Sequence, residues 1–167
     1  MDVLSFLMMG FEVALQPQNL LIALIGAFIG TIVGLLPGLG PINGVAILLP
    51  FAYALGLPVD SALILLAAVY LGCEYGGRIS AILLNVPGDA GAIMTTLDGY
   101  PLAQQGKAGI ALSLSSVSSF VGSTVAFIGI VLFAPILAKW AIAFGPAEYF
   151  ALMVFAIVCL TGLVSTQ

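Results

Sequence analysis

The chain contains no histidine and only two cysteines, Cys73 and Cys159, far apart and each in apolar surroundings. Without an imidazole no Ser/His/Asp triad can be assembled. Without a second cysteine near either thiol, neither a metal site nor a redox pair is indicated, and both read as small packing residues. A Gly-rich phosphate loop with its lysine is missing as well, so the sequence reads as no enzyme and offers no catalytic residue. Charge is almost as scarce. Three basic and seven acidic residues make up 6% of the 167 positions, where a soluble domain carries about a quarter. Arg78, Lys107 and Lys139 are too far apart to form the basic patch that nucleic acid requires. What remains is 62% hydrophobic, with a mean hydropathy of +1.28. Such a chain is an integral membrane protein, with the lipid bilayer as its solvent.

The apolar runs predict an all-α, polytopic transmembrane bundle, with the whole of 1–167 as one domain. "MDVLSFLMMGFEVAL" opens on an acid where a secretory leader carries lysine or arginine, so it reads as retained. Leu4, Leu7, Met8, Phe11 and Leu15 fall at helical spacing, and 1–19 is expected as a short interfacial helix. Leu20 to Leu36 would extend about 25 Å, close to the hydrocarbon thickness. Within it Gly26, Gly30, Gly34 and Gly38 recur every fourth residue and offer a ridge for a neighbouring helix. Residues 20–57 hold this first span, a Pro-Gly break and a second run interrupted by Pro50. Residues 58–96 hold a third run and two short pieces, "ISAILLNVPGD" and "AGAIMTT", which read as a re-entrant hairpin with its tip at Pro87-Gly88. "LDGYPLAQQGKAG" is the one extended polar stretch, and 97–107 is expected as a water-facing loop. A Ser- and Gly-rich span follows over 108–138, with Ser113, Ser115, Ser116, Ser118, Ser119 and Ser123 favouring close interhelical contact. Lys139 and Trp140 sit where an interface anchor belongs. The last run, 141–165, ends without a polar tail, so the chain is expected to be the N-terminal part of a longer subunit.

Two places would break helices inside lipid. The first is Pro37-Gly38-Leu39-Gly40-Pro41 with Asn43 behind it. The second combines Tyr75-Gly76-Gly77-Arg78 with Asn85-Val86-Pro87-Gly88. Freed amides and the N-terminal ends of the helices that follow attract anions. Unwound carbonyls coordinate Na⁺, a combination used by secondary transporters. Asn43 and Asn85 either join such a site or merely cap their own breaks. Glu74 and Arg78 are four apart with the acid first, the order that favours an ion pair. Alternatively, Arg78 is a fork for a substrate carboxylate with Glu74 holding it.

"GTIVGLLPGLGPINGVAILLPFA", "YGGRISAILLNVPGDAGAIMTTLDGYPLAQQGKAG" and "FGPAEYFALMVFAI" resemble the large membrane subunit, TctA, of the tripartite tricarboxylate transporter family, over almost the entire chain. The resemblance implies a bacterial inner-membrane, multi-pass permease subunit that imports citrate-like tricarboxylates or related carboxylates by symport with Na⁺ or H⁺. It also implies a small TctB-like membrane subunit and a periplasmic TctC-like solute-binding protein as partners, with no other cofactor. Such subunits are longer than this chain and carry a second Pro-Gly break, which would make this chain one half of an inverted repeat. With the two breaks, the resemblance nominates Pro37, Gly38, Gly40, Pro41, Asn43, Tyr75, Gly76, Gly77, Arg78, Ser80, Asn85, Pro87 and Gly88 as substrate-binding, and places Na⁺ near Gly38, Asn43 and Asn85. Arg78 stands where serine is common in that family, so a role for it would belong to members with tricarboxylate-like substrates. The competing reading is a passive pore or structural membrane subunit without coupled transport.

Overall fold

The computed structural model describes residues 3–164, and these form helices joined by short connections, with no strand among them. The helices are α1 (Val3–Ala14), α2 (Pro17–Leu35), α3 (Gly40–Ala54), α4 (Val59–Leu84), α5 (Ile93–Leu102), α6 (Ala108–Ala143) and α7 (Pro146–Val164). A single 3₁₀ turn, Ala90–Ala92, precedes α5, and a wider turn, Ala103–Lys107, joins it to α6. Among the described residues, three helical stretches are long and apolar enough to cross a membrane: Pro17–Leu35, Val59–Leu84 and Ala90–Ala134. The chain divides into two units, Met1–Ser119 and Phe120–Gln167.

The first unit is organised by α2 and α4. Gly26, Gly30 and Gly34 on α2 lie against Leu65, Val69 and Cys73 on α4, each pair four residues further along both helices, so the two run parallel. A methyl group placed on Gly34 would sit 2.6 Å from Cys73 Cα, and one on Gly30 would sit 2.8 Å from Val69 Cα. The contact is reciprocal, because Gly72 and Gly76 of α4 give the same room to the backbone of Ala27, Thr31 and Gly34. Glycine is needed here for the absence of a side chain, since lipid supplies no hydrophobic drive to hold two helices together and close packing must do it. Gly38, the fourth member of the predicted ridge, has nothing within 4 Å, because α2 has already ended. At the opposite end, buried Ser61 donates to Asn19 Oδ1 at 2.7 Å, while Asn19 Nδ2 donates to the Val13 carbonyl at 2.8 Å. This polar lock ties the starts of α2 and α4 to the end of α1.

Two parallel neighbours require a return, and α3 supplies it. Its Gly44 meets the Cys73 sulfur, while Ala52 and Tyr53 share a cavity with Ala62 and Leu66, so α3 runs antiparallel to α4. The preceding break occupies residues 36–39, with Gly38 at φ +83°. Gly40 and Pro41, expected outside any helix, form the first turn of α3, where proline's missing N–H costs nothing.

Two further expectations are corrected. Tyr75 to Arg78 do not break a helix: α4 is continuous from Val59 to Leu84, so "SALILLAAVYLGCEYGG" and "ISAILL" are one helix. Paired glycines weaken a helix by roughly 1 kcal/mol each, but Gly76 is covered by α2 and Gly77 by the turn after α4, and the helix runs through them unbroken. The chain reverses at Asn85 and runs back along α4 until Gly88 meets Gly77; α5, about 15 Å long, then runs beside α4 in the same sense, with Gly99 against Ile82. Finally, residues 97–107 are not an open loop. They continue α5 to Leu102 and bend at Gly106, whose φ of +76° no side chain adopts easily.

In the second unit α7 starts after Gly145, whose N–H donates to Glu148 Oε2 at 2.9 Å. Phe144 and Tyr149 pack edge to face, 6.0 Å between centroids. The expected start of the last span at 141 moves to Pro146, and α6 runs on to Ala143 rather than 138. The side chains of Lys139 and Trp140, expected as an interface anchor, lie outside the described residues.

Replacing Gly34 with valine drives a branched side chain into the α4 backbone and is expected to lower stability by about 1–3 kcal/mol or more. Gly10→Ala, with nothing within 4 Å, should not destabilise. Thermal unfolding of both variants in detergent checks the contrast.

Candidate functional site

The two Pro-Gly segments, Pro37–Pro41 and Pro87-Gly88, meet. Gly88 lies against Gly77 of α4, with a methyl on Gly77 falling 3.3 Å from Gly88 Cα, and a methyl on Gly40 would lie 3.4 Å from the Gly88 carbonyl oxygen. The meeting point is at the C-terminal end of α2, after a helix already about 28 Å long. Asp89 holds the second segment: its carboxylate accepts from the N–H groups of Gly91 and Ala92, both at 3.2 Å, and so starts the turn that leads into α5. Asn85 is the last residue before the reversal and adopts the left-handed conformation, φ 59° and ψ 27°. Asparagine tolerates that region where most residues do not, so Asn85 has a backbone role as the C-terminal cap of α4. Asn43 sits on the exposed side of α3 and donates Nδ2 to the Leu39 carbonyl at 2.5 Å, a bond that stays within the break it follows.

A different face of α4 carries the polar chemistry. The Tyr75 hydroxyl and Ser116 Oγ are 2.6 Å apart, and one turn on the Arg78 guanidinium donates to Ser119 Oγ. Ser119 in turn donates to the Ser115 carbonyl at 2.7 Å. Ser80 is turned inward and donates to the Gly77 carbonyl at 2.9 Å, fully buried, which suits a structural role. The expected Glu74–Arg78 pair is not formed: Arg78 reaches α6, while the Glu74 carboxylate neighbours the Tyr70 hydroxyl one turn back.

Below Arg78 opens a cavity of about 370 Å³ between α4, α5 and α6. Its polar lining comprises Arg78, Thr95, Asp98, Ser115 and Ser118, and its apolar lining includes Ile82, Met94, Leu102 and Leu114. That volume is within the range of small-molecule sites, and a guanidinium flanked by hydroxyls is donor chemistry suited to a carboxylate. Among the described residues no group of three His, Cys, Asp or Glu side chains could hold a metal ion.

A family model described as the tripartite tricarboxylate transporter TctA family matches residues 20–167. The chain belongs to the TctA family. It is also 44% identical, over 157 residues, to a protein of Agrobacterium vitis described as "Uncharacterized 52.8 kDa protein in TAR-I ttuC' 3'region"; the match covers 94% of this chain and 31% of the relative. The chain therefore spans about a third of the length of that curated relative. No solved structure matches it. The TctA family is one of transporter membrane subunits and not of enzymes, and the apolar helices fit a multi-pass membrane protein.

Within this TctA chain the thirteen nominated residues divide. Gly40, Gly77 and Gly88 form the contact between the two breaks, Pro37, Gly38, Pro41, Asn43, Asn85 and Pro87 flank it, Gly76 faces α2, and Ser80 is buried on the Gly77 carbonyl. Tyr75 and Arg78 face α6. Arg78 alone among the thirteen lines the cavity. Sequence reasoning missed Thr95, Asp98, Ser115 and Ser118 as a set. The available signal was the serines at three- and four-residue spacing, Ser115, Ser118 and Ser119, which place hydroxyls along one helical side.

The cap assignment of Asn85 is testable by separating backbone from side chain. Asn85→Gly should leave thermal stability in detergent within a few tenths of a kcal/mol, whereas Asn85→Val, strained in the left-handed region, should lower it by about 1–2 kcal/mol.

Proposed function

We propose that this chain is part of the permease of a binding-protein-dependent secondary transporter in the bacterial inner membrane, importing citrate-like tricarboxylates or related carboxylates by cation symport. Arg78 receives one carboxylate of the substrate in the cavity it shares with Thr95, Ser115 and Ser118. The observation that carries this reading is that single guanidinium on the cavity wall, held by a serine hydroxyl and not by an acid. An arginine already paired with a carboxylate would have little to offer an anion; one positioned by a neutral hydroxyl keeps its charge for the ligand.

The coupling ion, Na⁺ or a proton, is assigned to the meeting point of the two breaks, near Gly38, Asn43 and Asn85. Support comes from the unwound backbone there and from the bond that engages Asn43 Nδ2 and leaves its carbonyl oxygen as the atom for a cation. A small membrane subunit and a periplasmic solute-binding protein complete the system, and the remaining length of the large subunit supplies the rest of the pathway.

The test is citrate uptake into proteoliposomes by the complete transporter with its binding protein. The wild type should accumulate citrate above the outside concentration only when a Na⁺ or proton gradient is imposed. Arg78→Gln should raise the half-saturating concentration about tenfold or more, as expected for a lost charge-assisted hydrogen bond, with Arg78→Lys in between. Normal uptake by Arg78→Gln at equal expression would remove the cavity from the pathway, and equilibration without accumulation would favour a passive pore.

A further inference from the structure

Asp98 is left unused by the transport reading, although it lines the same cavity as Arg78. Among the described residues it enters no hydrogen bond or ion pair, and Arg78 is engaged by Ser119 instead. Two opposite charges thus share one cavity of about 370 Å³ without neutralising each other. An ionised carboxylate is acceptor-only, so Asp98 repels a carboxylate that approaches it and needs a donor from whatever fills the space. The cavity is polar in two senses: it has an end for an anion and an end that refuses one.

A ligand that satisfies both ends carries a carboxylate and a hydrogen-bond donor on the same small skeleton. On a polycarboxylate the donor that adds no charge is a hydroxyl. The walls between the two ends are apolar at Ile82, Met94 and Leu114, which suits the carbon chain joining them.

We propose that Asp98 is a specificity-determining residue: it accepts a hydrogen bond from a hydroxyl of the carboxylate held at Arg78, so the site selects hydroxycarboxylates over the same acids lacking the hydroxyl. The proposal rests on the assignment of Arg78 as the carboxylate anchor. Asp98 is solvent-exposed on α5, so a ligand seated in the cavity displaces its water. A deoxy ligand then leaves Asp98 unpaired, and a site built to bond a hydroxyl rejects the analogue without it more strongly than an apolar pocket rejects a missing methylene.

The experiment titrates two acids that differ by one hydroxyl, citrate and propane-1,2,3-tricarboxylate, into the complete membrane complex in nanodiscs, by calorimetry. The wild type should bind citrate at least about tenfold more tightly. Asp98→Ala should bring the ratio close to one by weakening citrate while leaving the deoxy acid unchanged or tighter, and Asp98→Asn, which keeps an acceptor oxygen, should retain part of the preference. Arg78→Gln should weaken both acids together. An unchanged ratio in Asp98→Ala, with Arg78→Gln still weakening both, overturns the role of Asp98 alone. Unaltered affinities in Arg78→Gln overturn the anchor and the present proposal with it. A wild type that binds the two acids equally, or neither, overturns the selectivity outright.

Discussion

The polar side chains that α4 turns toward α6 are positioned by a contact that contains no polar side chain. The backbones of α2 and α4 touch through Gly26, Gly30 and Gly34 on one side and Gly72 and Gly76 on the other. That contact makes the two helices parallel neighbours, and a parallel pair forces α3 to return between their ends. It also helps keep α4 unbroken through a glycine pair that would otherwise loosen it. Because α4 is unbroken there, Tyr75 and Arg78 fall one turn apart on the side away from α2, where α6 offers Ser116 and Ser119. The bundle is fixed by missing side chains, and the site by what remains on the opposite face.

The buried pair Asn19–Ser61 acts at the other end of the same helices. Both residues are almost fully buried, and each makes a hydrogen bond below 3 Å. In an apolar medium the alternative to such a bond is an unsatisfied group. A sliding motion of α2 along α4 would break this lock and drive the glycine ridge onto bulkier neighbours at once. The α2–α4 pair is accordingly the frame on which α3 and α5 pack.

The helical, membrane-spanning character and the ridge at Gly26, Gly30 and Gly34 were legible because each rests on a local rule: run length for the first, fourfold spacing for the second. Pro37 and Gly38 were equally readable as a break, since proline removes a donor and glycine admits positive φ. Gly76-Gly77 misled because composition around a glycine pair cannot say whether another backbone covers it. The polar stretch 97–107 misled in form alone: its charged and amide side chains are exposed, as polarity suggests, but the residues are helical to Leu102, and Asp98 lines a cavity that exists only once α5 lies beside α4. The Glu74–Arg78 spacing was correct as geometry and wrong as chemistry, because a serine on a helix more than forty residues away competes for the guanidinium.

That competition has an energetic meaning. A guanidinium on a membrane-length helix is costly unless it is paired or faces a wet cavity, and the cheapest neutralisation available to Arg78 is the acid one turn before it. The fold does not take that route. Glu74 stays with Tyr70, and Arg78 is aimed at α6 by a hydroxyl that carries no charge to cancel its own. A chain under pressure only for stability would be expected to close the local pair, since the spacing already allows it. Keeping the two charges apart maintains an unneutralised cation at a cavity wall, at a cost that folding alone does not explain, and an anionic ligand that arrives and leaves is the simplest partner for which such a cation would be held in reserve.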